Sequence, residues 1–177
     1  MTALVLATGL MLFAQSMPAS AARWAAGGLA ASHQNRRLTM SEKQKVHAVG
    51  RTSVNSYRPT PFDEVPGAPT LSDIRVTETF SGDIEGEGVA QVVQAARAGS
   101  TASFVGLERV RGAIGARSGT FLLEVHGTVA GKDMTAEWSV VSGSGTGELK
   151  GLRGQGGFKA KLGQHGDVWL DYDFEAP

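Results

Sequence analysis

Cysteine is absent from the 177 residues, so the chain can form neither a disulfide framework nor a thiolate metal site. The apolar run at residues 3–14 is shorter than the roughly 20 residues that a membrane-spanning helix needs. A strong charge of either sign is also missing, since seventeen basic and seventeen acidic residues give a formal net charge of +0. What remains is a chain of the length of one domain with a real core.

Acidic residues are missing from residues 1–39, which hold only three basic ones, Arg23, Arg36 and Arg37. Residues 40–177 therefore contain fourteen basic and seventeen acidic residues, a net charge of −3. A mildly acidic body argues against nucleic acid or an anionic membrane surface as the main partner. We expect neither.

The N-terminal residues 1–45 allow two interpretations. Residues 1–21 resemble a secretory signal, because residues 3–14 are apolar and Ala19-Ser20-Ala21 fits an Ala-x-Ala cleavage pattern, although no basic residue precedes Arg23. Alternatively translation starts at Met40, which the appearance of acidic residues only after this point favours. The first interpretation predicts export and the second a cytoplasmic protein. Both predict a poorly ordered extension, 1–45, before a single domain, 46–177.

From Val46 onward the hydrophobic pattern has the period of two that is typical of β-strands. No amphipathic helix of ten or more residues is indicated. Short strands joined by tight turns predict a sandwich or an up-and-down barrel, and the lack of a long crossover favours a small eight-stranded antiparallel β-barrel. The predicted segments are a first strand 46–57, a proline-rich loop or flap 58–69, and strands 72–81, 83–95, 101–112, 117–129, 132–141, 158–162 and 167–175.

Glycine is concentrated in the run Gly143–Phe158, where seven of sixteen residues are glycine. A phosphate-binding loop would open a helix, and here a β-pattern follows, so nucleotide binding is not expected. Glycine at this density in a sheet protein marks positive φ angles and close backbone approach. We predict these features at Gly145, Gly147, Gly151 and Gly154.

Several motifs resemble one bacterial family, domain of unknown function 3224. They are Thr79–Gly88, Ala102–Val110, Gly143–Gly154 and Leu170–Glu175, and the resemblance covers Val46 to Glu175. The segment Gly145–Gly154 is also similar to one in plant allene oxide cyclases and dirigent proteins. This likeness implies an allene oxide cyclase-like barrel that works without a bound cofactor, and it carries over no catalytic residue.

Carboxylates on the strands are the candidates for acid–base chemistry. Asp83, Glu85 and Glu87 share one strand face, and Glu108 has the parity of the apolar residues Phe104 and Val110. Carboxyl groups confined in an apolar cavity would hold a proton near neutral pH, as a general acid or base requires. The alternative is that these residues form a solvated surface. Glu78 also falls on the apolar parity of its strand, beside Ile74, Val76 and Phe80.

Other side chains suggest a cavity wall rather than a metal site. Trp138 shares a strand face with Met134, and with Phe104 and Val110 these residues are predicted to bind a ligand. Glu124 and His126 share a face, but two ligands are not a site and the other histidines have no ligand spacing, so no metal or cofactor is expected.

Three functions fit these patterns. The first is a barrel that binds one small apolar ligand, since eight strands enclose space for one. The second is a cofactor-independent isomerase or cyclase that uses Glu108 with Glu85 or Glu87. The third is a non-catalytic barrel that forms a homo-oligomer through an apolar strand face, such as Val168, Leu170, Tyr172 and Phe174.

Overall fold

The computed structural model describes residues 45–97 and 101–175, which belong to one compact unit. Of the predicted N-terminal extension, 1–45, residues 1–44 lie outside the described residues. Eight antiparallel strands follow one another around a closed barrel, as predicted. They are β1 (Val46–Asp63), β2 (Thr70–Gly82), β3 (Ile84–Arg97), β4 (Thr101–Ile114), β5 (Arg117–Ala130), β6 (Asp133–Val140), β7 (Leu152–Lys161) and β8 (Gly166–Phe174).

A single 3₁₀ turn, Gly147–Leu149, is the only helix in the described part of the chain. No helix within the described ranges is long and apolar enough to cross a membrane.

Strand β8 closes the barrel by pairing with both β7 and β1. Its alternation determines which side faces inward: Val168 and Leu170 are buried, whereas Trp169 and Asp171 are partly exposed. Tyr172 and Phe174 also pack against the core. The prediction that this apolar face forms an outer subunit contact is therefore wrong, because a closed barrel turns the apolar face of each strand toward its own interior.

Strand β1 continues six residues beyond the predicted end and includes Pro59 and Pro61, for which the sequence predicts a loop or flap. It pairs with β8 only over Val46 to Thr52, and beyond this point it pairs only with β2 among the described residues. Prolines two residues apart direct their nitrogens to the same edge, and here that edge needs no donor because no strand pairs with it.

Strand β7 starts at Leu152, inside the glycine run, and not at Phe158 as predicted. Glycine is tolerated there because the neighbouring strand approaches closely: a Cβ on Gly156 would collide with the backbone of Trp169.

The prediction for the four glycines of this run is confirmed. Gly147 and Gly151 have φ values of +60° and +78°, and a Cβ on Gly145 or Gly154 would collide with the backbone of Leu149 or Asp171.

The barrel has two dissimilar ends. At the end that we call the closed end, residues 141–151 fold back between β6 and β7 and are hydrogen-bonded to β5. Leu149 is fully buried there. Other large side chains fill this end around it: Ile84, Ile114, Phe121 and Leu152. At the opposite end, the open end, short turns such as residues 131–132 and 162–165 join the strands.

Candidate functional site

A cavity of about 690 Å³ lies inside the barrel and reaches the β7–β8 turn of the open end. Its size falls within the range of about 300–1,000 Å³ that is usual for pockets holding drug-sized molecules. The wall is mainly apolar and includes residues of all eight strands. Strands β2 to β7 contribute Ile74, Val76, Ala90, Val92, Phe104, Val125, Met134 and Phe158. The interior is therefore solidly packed only toward the closed end.

Two of the four predicted ligand-binding residues line this cavity, Phe104 and Met134. Trp138 and Val110 belong to the buried core instead. The Trp138 ring packs against the rings of Phe158 and Phe80, with centroid separations of 5.8 Å and 6.2 Å. Trp138 thus supports the wall from behind, since Phe158 is itself a lining residue.

Glu108 on β4 is the candidate that the structure places inside the cavity, and only 2% of its surface is exposed. A second carboxyl group, that of Glu78 on β2, lines the same space. The two strands are separated by β3, on which Gly88 faces Glu78 in the pairing register. A Cβ on Gly88 would collide with Glu108 Oε1 and lie 2.9 Å from Glu78 Cγ. The missing side chain thus lets the two carboxyl groups meet over β3.

Burial is the largest cause that raises the pKa of Glu108 well above its usual value of 4.5. The negative charge of Glu78 and a hydrogen bond with its carboxyl group raise this pKa further. Thr52 Oγ1 donates a hydrogen bond to Glu78 Oε2. Glu108 Oε1 has no hydrogen-bond partner among the described residues. Glu108 therefore keeps its proton to a higher pH than an exposed glutamate would, and its Oε1 is an unused hydrogen-bonding position.

Glu85 and Glu87 do not join this pair. Both side chains are exposed, whereas the even-numbered residues of β3 are buried or half-buried, Ile84 and Ala90 among the buried ones. Asp83 is exposed as well and accepts a hydrogen bond from the Val49 backbone. Since successive side chains on a strand point to opposite faces, the three odd-numbered acids lie outside the barrel. The expectation that one of them shares the cavity with Glu108 is wrong.

Glu78 is the second acidic residue of the site and is not among the candidates predicted from the sequence. The signal for it was present in the sequence, because Glu78 shares the apolar parity of Ile74, Val76 and Phe80, all of which are buried or half-buried. Glu78 and Glu108 thus show the same pattern in the sequence, a carboxylate on the apolar parity of a strand, which predicts that both face the interior.

Glu124 and His126 lie on the outer face of β5, where both are exposed. His126 Nε2 is 3.1 Å from Glu137 Oε2 across the β5–β6 pair. In the ranges that the structure describes, no three His, Asp or Glu side chains are grouped in a way that would hold a metal ion.

Polar side chains surround the mouth of the cavity. Tyr57 lies here, and its partial burial raises the pKa of its hydroxyl. Lys161 Nζ lies 2.6 Å from Asp133 Oδ1, and His165 Nδ1 lies 2.7 Å from Ser53 Oγ. The two basic groups of the rim are therefore engaged with partners near the mouth and do not contact the carboxyl pair.

Comparison with known proteins places these features in a family. The sequence pattern of a family described as "Protein of unknown function (DUF3224)" matches residues 48–172. A solved structure from Shewanella oneidensis MR-1, described as a protein with unknown function from the same family, is 25% identical with a TM-score of 0.64. The similarity covers 75% of this chain and 99% of that one.

No curated protein matches the sequence significantly. The likeness to allene oxide cyclases and dirigent proteins stays a prediction from the glycine segment.

Proposed function

Because the chain belongs to the DUF3224 family of proteins of unknown function, we propose from its own interior that it is a binding protein for one small, mainly apolar molecule. The observation that carries the proposal is the cavity of about 690 Å³ that reaches the open end. Eight-stranded barrels are just wide enough either to be filled by side chains or to hold one small ligand. Here the closed end is filled and the remaining length is not.

The lining supports an apolar ligand. Ile74, Ala90 and Val92 are each at most 7% exposed, and Phe104 and Phe158 add flat aromatic walls stacked at 6.5 Å. Transferring apolar ligand surface from water to such walls gains about 25 cal/mol for each Å². The few polar groups of the cavity, such as Gln94 and the carboxyl pair, would fix the orientation of the ligand.

The experiment is a fluorescence titration with N-phenyl-1-naphthylamine, a neutral apolar probe that brightens in dry surroundings. We expect saturable binding of one probe per chain. Val92→Phe fills the cavity from β3 and should weaken binding by about tenfold or more, since the added ring occupies the space of the probe.

Val93→Phe is the matched control. Val93 adjoins Val92 on the same strand, is 41% exposed and points outward, so its replacement should leave the affinity unchanged. Absence of saturable binding, or equal loss in both variants, would contradict the proposal.

A second candidate function is favoured by the contact between Glu78 and Glu108. Two carboxyl groups that share a proton provide a general acid and a general base at one place. A cofactor-independent isomerase or cyclase requires such a combination. In such a step the ionised carboxylate takes a proton from carbon and the protonated one delivers a proton elsewhere on the substrate.

A generic probe reaction tests the base. In 5-nitrobenzisoxazole, removal of the ring C–H proton by a carboxylate breaks the N–O bond and releases a coloured phenolate. If the carboxyl pair is a catalytic base, we expect the protein to react faster than acetate at equal concentration. Glu78→Gln and Glu108→Gln should each abolish this advantage. A rate that both variants retain would rule out the carboxyl pair as the base.

A further inference from the structure

We infer that the cavity selects apolar molecules that carry one protonated amine, and that Glu78 and Glu108 hold the ammonium group at its inner end. The inference rests on the proposed function and names the class of ligand. It starts from the position of the pair. Thr52, Glu78 and Glu108 are the lining residues farthest from the open end on β1, β2 and β4. A ligand that enters by the mouth would meet these groups last.

At the inner end of the cavity, the ionisable side chains are all acidic. Its titratable lining residues are Tyr57, Glu78, Glu108, Lys161 and His165. Only the two glutamates contact each other, while Lys161 and His165 belong to the turn region of the open end and have partners there. No basic side chain of the described residues is paired with either glutamate. Within the described residues, no cation of the protein therefore balances the negative charge at this depth of the cavity.

Glu108 Oε1 provides the independent observation. This oxygen is buried, lacks a hydrogen-bond partner among the described residues, and belongs to a side chain that lines the cavity. Leaving a buried polar atom unpaired is costly, so such atoms usually mark the place of a missing partner. The missing partner of a carboxyl pair that already accepts from Thr52 is a further donor.

Among donors, an ammonium group fits best. It carries three N–H donors and the positive charge that the pair lacks, and charge-assisted hydrogen bonds are roughly twice as strong as neutral ones. An alcohol would satisfy the free oxygen and leave the charge unbalanced. A carboxylate ligand would add a third acidic group to a space where two are already in contact.

The experiment measures displacement of N-phenyl-1-naphthylamine at neutral pH by octylamine, 1-octanol and octanoate, which share one chain length and differ in the head group. We expect octylamine to displace the probe at concentrations about tenfold lower than 1-octanol, the difference expected between a charge-assisted and a neutral hydrogen bond. Octanoate should be the weakest of the three.

Glu108→Gln and Glu78→Gln keep the size of the side chain and remove its charge. Each should lower the preference for octylamine over 1-octanol to within about threefold while the probe still binds, which shows that the variants are folded. Glu87→Gln on the outer face is the control and should leave the preference unchanged.

The outcomes separate the two proposals. Equal affinity for octylamine and 1-octanol in the natural protein, or a preference that survives both cavity variants, overturns the amine inference and leaves the binding function intact. If neither the probe nor any of the three compounds binds, the binding function itself fails.

Discussion

The closed and open ends of this barrel are built from the same eight alternating strands, yet one is packed and the other hollow. The difference comes from the connections. Residues 141–151 fold back under the barrel and insert Leu149, which is 0% exposed, whereas Leu162 in the β7–β8 turn stays 49% exposed. The strand pattern therefore determines which side chains face inward, while the length of the connections determines whether the interior is filled. We therefore expect the packed end to contribute most to stability, and the hollow end is where the proposed ligand would bind.

The largest expected effect is that of Leu149→Ala. Truncating a fully buried leucine leaves a hole in the closed end and should lower the free energy of unfolding by about 2–5 kcal/mol. The matched change at the other end, Leu162→Ala, should alter it by no more than about 0.5 kcal/mol because this side chain is half exposed. Urea unfolding measures both. Equal losses would show that the two ends contribute alike.

The next effect concerns the backbone of residues 141–151. Gly147 and Gly143 both have positive φ, +60° and +72°, but a Cβ on Gly147 would lie 2.9 Å from Ser118 O and one on Gly143 would meet nothing. Valine at either position is strained by about 1–3 kcal/mol. Gly147→Val should unfold at the lower temperature of the two, since it adds a collision to the strain. Identical melting temperatures would mean that close packing against β5 does not hold this segment.

A pH-dependent effect should distinguish Glu108 from its amide. The folded-state pKa of Glu108 is raised, so its contribution to stability is fully present below the ordinary value of 4.5 and is lost as the pH rises toward the folded pKa. Glu108→Gln lacks this loss. Above pH 4.5, we expect the free energy of unfolding of the variant to rise relative to that of the natural protein by up to about 1.4 kcal/mol per pH unit. Unfolding curves from about pH 4 to pH 8 measure the gap, and a constant gap would contradict the raised pKa.

The smallest effect has the opposite sign and lies at the closed end. The Ser118 backbone amide and hydroxyl donate to Glu148, and these hydrogen bonds lower the pKa of its carboxyl group. A lowered folded-state pKa gives stability that is present above 4.5 and is lost as the pH falls through the folded pKa. Glu148→Gln should therefore melt slightly below the natural protein at neutral pH and match it in acid. A difference in melting temperature that widens on acidification would contradict the lowered pKa of Glu148.

Most of the fold could be predicted from the sequence because a closed barrel imposes one rule on every strand. Period-two alternation indicated eight strands and placed Glu108 among inward-facing apolar residues, where it lies. The same alternation places Glu78 on the apolar parity of β2, and its side chain also lines the cavity.

What the sequence could not show is contact between strands. The importance of Gly88 depends on Glu78 and Glu108, which lie on the two strands that pair with its own. The shared strand face of Glu85 and Glu87 suggested an acidic site. Only the register of β3 between its neighbours determines which face lies inside. The filled closed end was likewise hidden, since a glycine-rich run gives no sign of where it folds back.

Pro59 and Pro61 also bear on how the protein behaves in a crowded solution. The part of β1 that extends beyond β8 presents a strand edge that no described strand covers. Such an edge is a template on which a second chain can add a strand and begin aggregation. Two prolines on this edge offer no amide hydrogen to an incoming strand, so they interrupt the ladder before it can grow. The two prolines thus protect the tall rim beside the cavity against this kind of strand addition.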